Sequence, residues 1–225
     1  MGMKRNSSST ATFVDGKIYV AGGCDDKYVD YPNWMEVFDL ETQTWSPVKN
    51  PRVFWLHEED RIKGFIAKSV WLEGKLYVFG DESVVYNQEE GRWDPIGMDN
   101  YRMAWAARHC HCVIDDVLYF WDGERFRWWD SKASLWKELS GIEGLPDLSG
   151  EVRKYCKMVD LGGKIGFLWC EYLYNQPMEI CRIWCAEISL ERRNGDEICG
   201  KVEWFDYVLR AHGSCSSFNV VSASV

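Results

Sequence analysis

The stretch Asp15-Gly16-Lys17-Ile18-Tyr19-Val20-Ala21-Gly22-Gly23 decides the fold. Asp-Gly is a strong hairpin signal, because a type I′ turn needs positive φ at both central residues. The apolar run behind it reads as a short strand, and the glycine doublet ends that strand. The unit recurs. Glu73-Gly74-Lys75-Leu76-Tyr77-Val78-Phe79-Gly80 is a close copy, and Asp115-Asp116-Val117-Leu118-Tyr119-Phe120-Trp121-Asp122 a looser one. Gly162-Gly163-Lys164-Ile165-Gly166-Phe167-Leu168-Trp169 is the loosest. The residues that follow the four turns are 17, 75, 117 and 164, so the steps are 58, 42 and 47.

A second marker keeps phase with the first. Val37-Phe38-Asp39 is followed by Trp45, Val85-Tyr86-Asn87 by Trp93, and Trp128-Trp129-Asp130 by Trp136, each six residues after the Asp or Asn. The fourth copy breaks this spacing, since Trp184-Cys185-Ala186-Glu187 reaches Trp204 only across a charged insertion. A period of this size, made of strands and aromatic residues, marks a propeller array.

The predicted fold is therefore all-β, with four four-stranded blades at about 10–48, 65–96, 106–139 and 152–208 in one domain spanning 10–210. Four blades make either a small ring or an incomplete propeller. Residues 1–9 are polar and expected to be frayed. Residues 211–225 read as a tail or as a closing strand. Glu191 to Cys199 reads as a charged hairpin tip with Asn194-Gly195 as its turn. The first-to-second turns are two residues long. The long connections, Cys24–Asn33, Lys49–Gly64, Ser140–Glu151 and Glu171–Met178, all belong to the classes that leave a blade on the opposite side. One face of such a disc is tightly turned and the other elaborated, and binding usually resides on elaborated loops.

Composition narrows the partners. The net charge of −9 lacks the basic footprint of a nucleic-acid binder and does not suit an anionic membrane surface. No apolar run approaches the length of a membrane span. Nine cysteines at irregular spacing fit reduced thiols in a cytoplasmic or nuclear protein. Thirteen tryptophans, eleven tyrosines and ten phenylalanines suit broad sheet faces.

The Gly22-Gly23 doublet after four apolar positions, the aromatic-Asp pair and Trp45 together resemble a kelch repeat; Gly80-Asp81 and Trp121-Asp122 stand in degenerate copies. Ile183-Trp184-Cys185-Ala186-Glu187-Ile188-Ser189-Leu190-Glu191-Arg192-Arg193, then Gly200-Lys201-Val202-Glu203-Trp204, is similar to the C-terminal part of plant F-box/kelch-repeat proteins. The resemblance covers about residues 10 to 210. It implies a propeller that captures a protein target for a cullin-based (SCF-type) ubiquitin ligase, with a Skp1-like adaptor bound by an F-box. Nothing before Thr10 reads as an F-box, so adaptor binding is expected only if one lies upstream. A propeller enzyme of oxidase or glycosidase type, or an inert fragment, are the alternatives.

No catalytic constellation stands out: there is no nucleophile elbow, phosphate-cradling loop or triad. His109-Cys110-His111-Cys112 is the most metal-like string. In a strand its side chains alternate between faces, which separates the histidines from the cysteines. No metal or other cofactor is expected. The candidate binding residues are Tyr28, Tyr31, Arg52, His57, Arg61, Arg102 and Arg108, on the elaborated loops, where arginines could take an acidic peptide through bidentate contacts. Trp34, Phe54 and Trp55 read as aromatic anchors near the same face or, more simply, as caps on blade packing.

Overall fold

Sequence-local turn chemistry sets the hairpins. In the computed structural model, described at residues 2, 4–6, 9–23, 34–48, 66–80, 84–95, 110–133, 135–148, 156–173, 180–193, 197–212 and 220, every regular element is a strand. Asp15 and Gly16 adopt φ of 47° and 73°, Glu73 and Gly74 of 51° and 72°, Asp115 and Asp116 of 48° and 57°, and Gly162 and Gly163 of 71° and 88°. All four copies thus have the left-handed pair that the hairpin needs, including the copy that uses two aspartates. Asp tolerates this region better than most residues.

The first sheet runs β1 (Ser9–Val14), β2 (Lys17–Gly22), β3 (Met35–Asp39) and β4 (Thr44–Val48). The second runs β5 (Ile66–Leu72), β6 (Lys75–Gly80), β7 (Val84–Asn87) and β8 (Arg92–Pro95). The third runs β9 (Cys110–Ile114), β10 (Val117–Trp121), β11 (Phe126–Asp130) and β12 (Leu135–Glu138). The fourth runs β13 (Cys156–Asp160), β14 (Ile165–Leu173), β15 (Ile180–Arg193) and β16 (Glu197–His212). Each sheet is antiparallel with its strands in chain order, which is the build of a β-propeller blade.

The chain groups into two compact units, 1–108 and 109–225, each holding two sheets. Within the first unit, β1 and β5 lie side by side, and Ser69 Oγ meets the hydroxyls of Thr10, at 2.8 Å, and Thr12. Tyr19, Met35, Val48, Leu76, Val78 and Trp93 fill the space between its sheets. Within the second unit, β9 and β13 are neighbours, and the larger core gathers Tyr119, Trp121, Phe126, Ile165, Phe167 and Ile188. Phe167 lies 4.8 Å from Phe126 in an edge-on arrangement and 5.8 Å from Trp121. Burial and ring geometry both favour this packing.

The six-residue spacing turns out to be a cross-strand pair. Phe38 faces Trp45, Tyr86 faces Trp93 and Trp129 faces Trp136 in the ladders. Their ring centroids are 5.0, 4.9 and 5.1 Å apart. The Asp or Asn that follows each aromatic closes the turn: Asp39 accepts from the amides of Glu41 and Thr42, Asn87 from Glu89 and Glu90, Asp130 from Lys132 and Ala133. A short side chain that binds the backbone two and three residues on is what such a turn requires.

Two regions differ from expectation. In the polar leader, Arg5 is buried: its guanidinium pairs with Glu36 at 2.8 Å and donates to the carbonyls of Gly22 and Trp34. Asn6 N also bonds Gly23 O at 2.9 Å. The charged tip of the fourth sheet is largely strand, since Glu191, Arg192 and Arg193 pair with Cys199, Ile198 and Glu197. Ile198 explains the extension. It is 2% exposed within the core of the second unit, so its burial pulls the start of β16 into the ladder.

Candidate interaction surface

The seven loop residues singled out from the sequence, Tyr28, Tyr31, Arg52, His57, Arg61, Arg102 and Arg108, lie outside the described residues, as do Phe54 and Trp55. Trp34 is described and packs edge-on against Trp93 at 5.5 Å, so it joins the core between the first two sheets. Of the long connections, residues 140–148 and 171–173 are described; the latter continue β14 as strand where a loop was expected, and the former are docked. Leu148 is buried, Ser140 bridges to Cys199, and Gly200 N donates to Ser140 O at 2.7 Å. Gly141, with φ of 82°, passes so close to Gly200 O that a Cβ would stand 2.2 Å from it.

The described part of the His-Cys string alternates as strand geometry demands. Cys110 and Cys112 are buried in the core of the second unit and His111 lies on the other face. Burial pushes the Cys112 thiol above its ordinary range. Burial raises Cys110 as well, and its hydrogen bond to Cys156 draws the latter thiol down. The seven described cysteines are all free. Among the described residues no group of three His, Cys, Asp or Glu side chains is placed to hold a metal ion.

The surface that sequence reasoning missed is on the fourth sheet. Its ladder sets Glu171 opposite Arg182, Arg182 opposite Arg210, Trp169 opposite Trp184, and Trp184 opposite Tyr207. Alternation places these groups on one face, at the end of the sheet where β14 connects to β15. Trp184 stacks on Trp169 at 6.0 Å and donates its Nε1 proton to Glu171 at 2.9 Å. Tyr207 stands edge-on to Trp184 at 5.9 Å, and Phe205 lies 6.4 Å from the same ring. The Arg182 guanidinium lies over the Tyr207 ring at 5.5 Å and reaches Glu171 at 3.9 Å. The opposite face carries Trp204, whose indole N–H reaches Glu187 at 3.3 Å; Lys164, 2.6 Å from Glu187, holds that carboxyl below its usual range.

Comparison with known proteins agrees with the blade topology. The family model described as "FKB95, Kelch-repeats domain" matches residues 1–209. A putative F-box/kelch-repeat protein of Arabidopsis thaliana is 54% identical over 96% of this chain and 54% of its own length. A second F-box/kelch-repeat protein of that plant is 49% identical over 97% of this chain and 53% of its own length. The chain spans about half the length of these relatives. Among solved structures, an auxiliary nutrient binding protein from Bacteroides thetaiotaomicron superposes over 85% of this chain and 40% of its own with a TM-score of 0.42 at 11% identity, too little to carry an inference. With the family match covering nearly the whole chain and the blades built as that match requires, this protein belongs to the FKB95 family of kelch-repeat domains.

Proposed function

We propose that this chain is a protein-interaction module that captures a target for an SCF-type ubiquitin ligase. The observation that carries this is the 54% identity to a protein whose name joins an F-box to kelch repeats. The architecture suits the task, because stiff four-stranded blades hold loops in fixed positions while those loops vary. The chain works by binding rather than by chemistry, in the cytoplasm or the nucleus. A Skp1-like adaptor engages only through an F-box, which the longer relatives carry in name.

Cross-linked affinity capture with the full chain should recover one protein target reproducibly. Joining the chain to the F-box half of its 54%-identical relative should then lower that target's level in a proteasome-dependent way. A captured target whose level does not change would leave the binding role standing and remove the ligase role. Capture of no target would remove both.

A further inference from the structure

β16 is the outermost strand of its sheet. Ser140 and Gly141 run beside its start at Cys199 and Gly200. Beyond Gly200, among the described residues, no strand pairs with its outer edge. There the chain exposes Trp204, Phe205, Tyr207, Val208 and Leu209 at 42%, 38%, 53%, 53% and 54%. On the face that carries Trp184, Phe205 and Tyr207 stand exposed together around that ring, a cluster rather than scattered surface hydrophobes.

The charges on this strand have a pattern that folding alone does not favour. Arg182 and Arg210 are directly opposed in the ladder, and like charges at that position repel. Glu171 answers only Arg182, and it is shared with the Trp184 indole. Arg210 is exposed and forms no ion pair among the described residues. A protein of net charge −9 thus keeps, among its described residues, a guanidinium without an ion pair beside a group of rings. The register shifts in β15–β16, between Ile183 and Trp184 and between Glu187 and Ile188, leave Val208 and Glu203 as extra residues. Bulges of this kind disrupt regular edge-to-edge pairing, which points to the face of the sheet and away from its edge.

We propose that this face binds an extended acidic segment of a protein partner. Its carboxylates would sit on Arg210 and Arg182, and its apolar side chains on Tyr207 and Phe205. Arginine forks suit carboxylates, and aromatic rings beside them make strong contact points. The site deepens the target-binding reading above and rests on it.

The test uses the full chain and a fluorescein-labelled peptide that repeats glutamate-serine-phenylalanine-serine, which when extended puts glutamate and phenylalanine on one side, with a matched peptide in which lysine replaces glutamate. The acidic peptide should bind about tenfold or more tightly than the basic one, and its binding should weaken with added salt. Arg210→Glu should reduce acidic-peptide binding by about tenfold or more and restore binding of the lysine peptide. Arg210 is exposed, so the variant should keep the near-ultraviolet spectrum of the parent. Equal binding of the two peptides, or unchanged binding by Arg210→Glu, would overturn the proposal. So would a concentration-dependent dimer abolished by that substitution, since the face would then serve a second copy. A cellular target still captured by Arg210→Glu would refute this site while leaving the general binding role intact.

Discussion

Trp93 in the second sheet and Trp204 in the fourth stand on the last strand of their blades, yet they do different work. Trp93 faces Tyr86, packs on Trp34 and is 8% exposed. Trp204 faces Glu187 and is 42% exposed. The two strands also differ in length. β7 and β8 have four residues each, whereas β15 and β16 have fourteen and sixteen. The short β8 turns Trp93 into the core between the first two sheets and leaves Arg92 beside it exposed. In the long pair, the outer strand β16 buries Ile198 near its start and presents rings and Arg210 to solvent further along. Positions that keep the repeat are positions where packing decides; the departures are where a surface is left free.

This contrast can be broken most sharply by truncation. Trp93→Ala should cost roughly 3–5 kcal/mol in denaturant unfolding, the usual range for a buried large aromatic, while Trp204→Ala should cost under about 1 kcal/mol. Similar losses at both sites would show that the fourth sheet is packed like the others.

A second difference lies in how a sheet is held from outside its own hairpins. Arg5 enters the first sheet as a buried partner of Glu36, with both side chains nearly inaccessible. Arg5→Ala leaves that carboxylate without its partner and should cost about 3 kcal/mol. The paired change Arg5→Met with Glu36→Leu should recover most of the loss. A neutral Arg5→Ala would mean the leader contributes nothing to the first sheet.

Smaller effects test the features that the sheets share. Gly74→Ala forces a side chain into φ of 72° with nothing within 4 Å of the new Cβ, so its cost is backbone strain alone, about 1–2 kcal/mol. The same experiment at Gly16, at φ of 73° and equally open, should give the same value.

The third sheet adds a titrating turn. The Lys137 ammonium, 2.9 Å away, and the amides of Ala133 and Lys132 hold Asp130 below the usual carboxylate range. A lowered folded pKa stabilises above the unfolded value of about 3.9 and is lost as pH falls through the folded one. Asp130→Asn should therefore cost under about 1 kcal/mol at neutral pH, with the gap closing below about pH 4. A gap that persists at pH 2 would assign the effect to turn geometry instead of charge.

Much of the blade structure was legible because its determinants are local. The turn pairs need left-handed backbone, and Asp-Gly, Glu-Gly, Asp-Asp and Gly-Gly supply it within two residues. The spacing from Asp39 to Trp45 fixes a hairpin whose cross-strand partners are Phe38 and Trp45. Arg5 was not legible, since a lone basic residue in a polar leader gives no sign of a carboxylate thirty-one positions away. The Arg182–Arg210 juxtaposition was hidden for another reason. A regular ladder continued from Arg193 and Glu197 would set Arg182 opposite Val208, and the two bulges move it to Arg210.

Turn chemistry, the period-two alternation and the phased tryptophans therefore came from the chain's own order, because backbone sterics and nearest-neighbour hydrogen bonds act over a few residues. Tertiary structure alone decided which aromatic rings are covered, where the leader arginine docks, and which two guanidiniums share a face. Those outcomes depend on register shifts and on burial against distant segments, and neither is encoded within a short window of sequence.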